Sequence, residues 1–422
     1  MLYFKRKEKG GTMMKLNSYA SLEIGTHFTK LLVAEFNKGN VYVVAYHSIE
    51  TKGYQNGTIT NTDELVSCLL ELFSEVEKKF KIKVDELILI FPAIDHKVHM
   101  AGANMAIQTP MHLIGMNEIQ KIRLDCRNVQ LAEGETAVDE CPIKYVLDSG
   151  KTLYTIPLNL QSNTLQLTSY IHSLPTSLIT PLLKVFETLH IDLLDAYLLP
   201  FCCFSLMKNH TDEPILLLHY DYDAITFAYF DKQQLLKTDR LDFGEKNLLQ
   251  VLQQTFQVDA KEALTLLDSY FITDINQATS TILDAQKGIS EEAVSQCIQN
   301  ELQKISFSIQ NKIQQYSQEF STSFEIKISG KWLNYRHFVS YFNQINKLYT
   351  KGVYLNVLGI NSNEFLPCYG AIIRFISLNK DYILNRDEDD NQKPNFMNQT
   401  QEYATHSQST SKKFVDIFDE EE

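Results

Sequence analysis

The polarity pattern begins on alternation: Ala20, Leu22 and Ile24 fall on one face of an expected strand, Ser21 and Glu23 on the other. Residues 31–36 and 41–46 follow as two further strands. Between them lies Asn37-Lys38-Gly39-Asn40, a hairpin signal because Asn and Gly tolerate the left-handed backbone of a tight turn. Asn61 then caps a helix, with Glu64 three residues on. Leu65, Leu69, Leu72, Phe73, Val76 and Phe80 repeat at the spacing of one buried helical stripe. Residues 87–91 form a continuous apolar run, as in a strand covered on both faces.

The same order recurs about two hundred residues later. Strands are expected over 215–218, 224–230 and 235–241, with Asp231-Lys232-Gln233-Gln234 as a turn, followed by a helix over 247–256. Two copies of strand, hairpin and helix predict a duplicated α/β fold with a cleft between its halves, where ligands usually bind. An insert separates the copies, with a helix over 116–128 and strands over 143–147, 152–159 and 164–171. A helix over 178–189 and a strand over 191–197 return to the first half. Residues 259–320 read as a helical subdomain, and 324–329 as a buried strand ending at Gly330.

These patterns divide the chain into an N-terminal extension (1–16), a first lobe (17–92 and 172–212) and its insert (93–171). The second lobe (213–258 and 321–383) carries the helical subdomain (259–320). A linker (384–411), too polar to bury, is expected to be disordered and leads to an apolar last segment (412–422).

Composition narrows the function. A length of 422 residues exceeds one compact core, and a formal charge of −13 argues against nucleic acid as a partner. Seven scattered cysteines without a C-x-x-C pair read as buried thiols in a reducing, cytoplasmic setting, and no metal site is expected. No run of eighteen apolar residues exists, so membrane contact is expected to be peripheral. The basic start lacks the apolar core of a signal peptide, and either Met1 or Met13 serves as the start.

Several short segments, in order over residues 17–380, resemble FtsA, the actin-like bacterial cell-division family. Ser21-Leu22-Glu23-Ile24-Gly25-Thr26-His27-Phe28-Thr29-Lys30 is similar to that family's first phosphate loop, with Lys30 seven positions after Glu23. Thr51-Lys52-Gly53-Tyr54-Gln55-Asn56-Gly57 resembles the Ser-x-Gly-x-x-x-Gly stretch before the first helix, and Cys141-Pro142-Ile143-Lys144-Tyr145-Val146-Leu147-Asp148 a segment of the insert. Ile191-Asp192-Leu193-Leu194-Asp195-Ala196-Tyr197 is similar to a strand returning to the first lobe. Asp221-Tyr222-Asp223-Ala224-Ile225-Thr226-Phe227-Ala228 stands where the second phosphate loop belongs, with Gly244 as its following glycine and Ser329-Gly330-Lys331 as the adenosine turn. The resemblance implies a duplicated actin-like (ribonuclease H-like) α/β fold of two lobes, with an SHS2-type α+β subdomain inserted in the first.

It also implies ATP and Mg²⁺ as cofactors, held by Glu23, Gly25, Thr26, Lys30, Gly244, Ser329 and Gly330. The residues depart from that requirement at four points. Glu23 replaces an Asp; His219, Asp221 and Ile225 stand where Asp, Gly and Thr are wanted; Ala263-Leu264-Thr265-Leu266-Leu267 has lost the polar partners of the ribose and base; Lys331 and Trp332 crowd the adenosine turn. Loss of a loop glycine removes close backbone approach to phosphate, and Asp221 puts like charge beside an anion. The expectation is a pseudo-ATPase without catalytic residues. An active ATPase or small-molecule kinase is the rival, with Asp223 as its base.

FtsA-type chains end in a linker and a membrane helix. Here Phe414, Val415, Ile417 and Phe418 share a helical face, preceded by Lys412 and Lys413, while Asp416, Asp419 and Glu420 to Glu422 oppose an anionic surface. A membrane contact strengthened by polymerisation and a groove-binding peptide are the alternatives. The function implied is a division scaffold at the cytoplasmic face of the membrane and the septum, which links FtsZ to the membrane. It would bind the C-terminal peptide of FtsZ, self-associate into filaments and recruit later division proteins. A PilM-like platform for a pilus or secretion machine is the alternative.

Overall fold

The computed structural model describes residues 12–13, 17–207, 213–271, 282–284, 289–335, 337–360 and 362–379. The linker and terminal segment expected over 384–422 lie outside these residues, as does most of the N-terminal extension.

Along the chain, β1 (Ser18–Ile24), β2 (Phe28–Asn37) and β3 (Asn40–Glu50) form an antiparallel meander. Lys38 and Gly39 close its second hairpin with positive φ. The alternation in β1 does not mark a solvent face, because all seven of its residues are buried. Ser21 lies beneath a helix from the far end of the chain, and its hydroxyl donates to the Cys368 carbonyl at 2.8 Å. A small ladder, Tyr54–Gln55 with Thr58–Ile59, turns on Asn56 and Gly57, both at positive φ as a two-residue primed turn requires. Helix α1 (Thr62–Phe80) starts at Asn61, whose side chain accepts from the amides of Asp63 and Glu64. β4 (Glu86–Phe91) completes the first pass.

The insert holds β5 (Lys97–Ala106), α2 (Met116–Arg127), β6 (Glu135–Leu147), β7 (Thr152–Leu153) and β8 (Thr164–Pro175). Its antiparallel sheet has the order β7-β6-β8-β5 and closes over its own core of Ile119, Ile122, Leu165, Leu167 and Ile171. The strand expected over 152–159 stops at Leu153. Pro157 lacks a ladder donor and Asn159 adopts φ 58°, so the chain turns instead of extending. β8 continues to Pro175, past the limit of 171 expected for the insert.

Helix α3 (Thr176–Leu189) and β9 (Asp192–Leu198) return to the first sheet, and α4 (Leu199–Phe204) leads out of it. The second lobe repeats the plan with β10 (Ile215–Tyr220), β11 (Ile225–Asp231), β12 (Gln234–Leu241), α5 (Glu245–Phe256), α6 (Ala260–Tyr270), α7 (Glu291–Phe320), β13 (Glu325–Gly330), α8 (Phe338–Asn346) and β14 (Thr350–Gly352). Among the described residues between α6 and α7 is a short ladder of Ile282–Asp284 with Ile289–Ser290, so this subdomain is not purely helical.

The first sheet runs β9-β4-β1-β2-β3 and the second β14-β13-β10-β11-β12. In each, a central strand pairs antiparallel with the hairpin on one side and parallel with the returning strand on the other. The two halves are therefore one topology used twice. β10 alternates between two cores: Ile215 and Leu217 face the core shared with the first lobe, Leu216, Leu218 and Tyr220 the one beneath α5 to α8.

Helix α9 (Leu366–Leu378) follows the second sheet and packs back on the first. It crosses α4 at Gly370, where a Cβ would stand 1.9 Å from the Cys202 carbonyl oxygen. The two connections between the lobes thus touch backbone to backbone.

Candidate functional site

The interlobe cleft is built on register. Glu23 of β1 pairs directly with Lys30 of β2, so their seven-residue spacing puts the two side chains on one face across the hairpin. Lys30 Nζ lies 2.9 Å from Glu23 Oε1 and donates to the Glu364 carbonyl at 3.2 Å. Both side chains are buried. Burial raises the Glu23 pKa, with Lys30 opposing the shift. For Lys30, burial acts to lower the value, but the charges of Glu23 and Asp221 outweigh it and hold the ammonium above its usual range. The lysine is thereby committed to carboxylates of its own chain. Glu23 Oε2 has no hydrogen-bond partner among the described residues.

Gly25 closes the first turn, its amide donating to the Phe28 carbonyl at 3.1 Å. Thr26 Oγ1 accepts from the Asn56 amide at 3.0 Å, which ties this turn to the Asn-Gly hairpin. The second turn, between β10 and β11, is closed by the Asp221 amide donating to the Ala224 carbonyl. Gly244 packs under it: a Cβ there would stand 2.2 Å from the Tyr222 carbonyl oxygen. The first amides of α5 donate to the Asp221 and Tyr222 carbonyls, so the helix start is satisfied by the loop itself. Asp221 is acidified: burial pushes its pKa up, and the charges of Lys30 and His219 more than reverse that. Asp223 is held by Lys246 at 2.9 Å.

Ser329 and Gly330 lie at the end of β13, the latter at φ 103° and paired with Tyr220. Ser329 shares a hydrogen bond of 2.9 Å with His219 Nδ1, and burial lowers that imidazole to about 4. Lys331 turns to Glu245 at 2.8 Å, and Tyr335 donates to the other oxygen of the same carboxylate at 2.9 Å. Phe271 stacks on Tyr335 with ring centroids 4.1 Å apart, and fully buried Trp332 packs against Phe271, Tyr220 and Phe338. Ala263 and Leu267 of α6 complete this cluster. The space between the Gly330 turn and α6 is filled with rings.

Between the two turns, the His27 imidazole stacks on the Tyr222 ring at 4.1 Å and 16°. Arg240 of β12 donates to the Asn56 side-chain oxygen at 3.1 Å. The cavity that remains, lined among others by Glu23, Gly25, Thr26, His219, Asp221 and Arg240, encloses about 50 Å³. That volume suits a water or two, whereas cofactor pockets run to about 300–1,000 Å³.

Of the residues singled out in the sequence, Glu23, Gly25 and Thr26 line this cavity, while Lys30 sits behind it on Glu23. Gly244, Ser329 and Gly330 support it from the second lobe. The terminal group Lys412, Lys413, Phe414, Val415, Ile417 and Phe418 lies outside the described residues. His27, Tyr222, Asn56, Arg240, Glu245 and Tyr335 were not legible as site residues. A ring at the tip of each turn, where a phosphate loop wants small residues, was the signal that could have found two of them. No group of three or more metal-ligating side chains occurs among the described residues.

Comparison with known proteins places this geometry. No family model matches the chain. By sequence it is similar to the cell division protein FtsA of Bacillus subtilis strain 168, 20% identical over 247 residues that cover 58% of this chain and 56% of that protein. It is also similar to FtsA of Streptococcus pneumoniae serotype 2 strain D39, 18% identical over 307 residues, 65% of this chain and 67% of that one. The chain thus spans between about half and two thirds of the length of these curated relatives. Among solved structures it is similar to the PilM–PilN type IV pilus biogenesis complex, with a TM-score of 0.57 and 13% identity over 84% of this chain and 98% of that one. A second is the ethanolamine utilization protein EutJ from Carboxydothermus hydrogenoformans, with a TM-score of 0.50 and 10% identity over 86% and 92% of the two chains.

The duplicated sheets and the cleft between them define the class: a two-lobed protein of the actin-like ATPase fold. Within that class the chain is similar in sequence to FtsA cell division proteins, at 18–20% identity.

Proposed function

We propose that this chain is a non-hydrolysing scaffold of the cell-division machinery, which docks FtsZ filaments and gathers other division proteins at the cytoplasmic face of the septal membrane. The FtsA likeness supports the biological setting. The stacked His27 and Tyr222, one at the tip of each turn, carry the non-hydrolysing part. Phosphoryl transfer needs phosphates held by loop amides and a lysine, a positioned metal and a base. Here Lys30 is bound to Glu23 and Asp223 to Lys246, so neither is free for that task. ATP and Mg²⁺ are the cofactors the family resemblance implies, and the paired side chains between the two turns support a reading in which this chain does without them.

Self-association through lobe-to-lobe contacts and a peripheral membrane contact through residues 412–422 belong to the same proposal. Among the described residues no helix is long and apolar enough to cross a membrane. The test is co-sedimentation of the full chain with FtsZ filaments, with FtsZ lacking its C-terminal peptide as control. The proposal expects pelleting that depends on the peptide and not on ATP. A chain left in the supernatant by both would remove the FtsZ link. The similarity to the PilM–PilN complex supports a second reading, a PilM-like assembly platform for a pilus or secretion machine, which that same outcome would leave standing.

A further inference from the structure

We propose that the two lobes are latched shut by their own side chains, so that contacts made on nucleotide binding in other two-lobed folds are permanent in this one. The inference rests on the reading of the cleft as a site without nucleotide, and it adds what holds the cleft closed in its place.

The lobes are joined by two chain connections, through α4 and α9, which touch at Gly370 and Cys202. A fold joined in this way pivots unless something bridges the opposite side of the cleft. Ligands usually supply that bridge, because they bind both walls. Here both walls carry side chains that meet each other. His27, from the first lobe, lies flat on Tyr222, from the second, at 4.1 Å. Arg240, from the second lobe, donates to Asn56 of the first at 3.1 Å, and Asn56 is itself fixed by Thr26 at 3.0 Å. Lys30 reaches the Glu364 carbonyl, two residues before α9 begins, at 3.2 Å. The first-lobe side of the latch thus runs through one connected set: the first turn, the Asn-Gly hairpin and the lysine behind them.

The chemistry of the set fits a latch better than a binding surface. Stacked rings exclude the flat or anionic group that would otherwise enter, and the Arg240 fork is divided between Asn56 and Asp242. The residual cavity between the turns, about 50 Å³, is small for a nucleotide.

The test is hydrogen exchange of the full chain, without nucleotide and with saturating Mg-ATP, read on peptides covering 24–28, 53–57 and 220–224. The latch predicts slow exchange in all three without nucleotide and no change with Mg-ATP. His27→Ala combined with Asn56→Ala should speed exchange there on the order of tenfold. Exchange in the insert sheet, β5 to β8, should stay unchanged and shows that the variant is folded. His27→Phe keeps a ring for Tyr222 and should exchange as the wild type does. Fast exchange in the wild type, slowing on addition of Mg-ATP, or no difference in the double variant would each overturn the latch. Turnover of ATP measured beside it would overturn the functional reading separately. Slow, ATP-insensitive exchange with turnover present would leave the latch standing and that reading refuted.

Discussion

Glu23 and Lys30 form a buried ion pair across the first hairpin. The pair is buried and its geometry is set by strand register, so it serves β1 and β2 whether or not a phosphate is present. Removing one partner of such a pair strands the other in a place with little solvent. Lys30→Met is therefore expected to lower unfolding free energy by roughly 3–5 kcal/mol, and Glu23→Gln added to it should recover most of that loss. Urea denaturation of the two variants checks it; equal midpoints for Lys30→Met and wild type would contradict the pairing.

Buried imidazoles give the residue scale a pH dependence. His96 and His219 are lowered to about 4, chiefly by burial, and His172 is lowered by burial and by His96. His96 and His172 lie 2.9 Å apart, with Thr238 of the second lobe at the other side of His96. Between pH 6.5 and about 4 the unfolded chain binds protons that these folded sites refuse. Stability therefore falls as pH falls through that window, by up to about 1.4 kcal/mol per unit for each group. A Tm that rises on acidification from pH 6.5 would contradict this sign.

Among the elements, the crossing of α4 and α9 is the tightest. Helix propensity alone favours Gly370→Ala by about 1 kcal/mol. The Cβ would stand 1.9 Å from the Cys202 carbonyl oxygen, so the helices must part, and the substitution is expected to destabilise by about 1–3 kcal/mol. Arg374 of α9 makes a second joint, donating to both oxygens of Asp139 in the insert at 3.0 and 3.1 Å while lying over the Phe201 ring. Nearby, Arg123 binds Glu140 within the insert, while Arg127 of the insert binds Asp195 of β9, so buried charge fastens the insert to the first lobe. Arg374→Met should leave Asp139 unpaired and cost about 3–5 kcal/mol, seen as a lower midpoint and faster exchange in β6.

Elements with strong periodicity were legible in the sequence: α1 with its Asn61 cap, the hairpins of both lobes and the repeat of their order. The cleft's contents were less so. The loss of phosphate-loop residues could be read from Glu23, His219 and Asp221, because loop chemistry is local. The contact between the two turns could not, because His27 and Tyr222 are 195 positions apart (222 − 27) and meet only in the folded cleft. The β1 pattern misled for a related reason: Ser21 is polar yet buried, its partner Cys368 being supplied by α9 from 347 residues away.

In the whole molecule, an actin-like frame encloses a cleft whose two walls meet through His27 and Tyr222 and through Arg240 and Asn56. Scaffolding needs the frame, the insert and the surfaces they present; it does not need the triphosphate. The most direct measurement is titration calorimetry of the full chain with Mg-ATP, paired with an assay for released phosphate. Heats no larger than dilution at micromolar ATP and no phosphate release are the predicted result. Micromolar binding accompanied by turnover would show that the rings part and the loops work, and would contradict it.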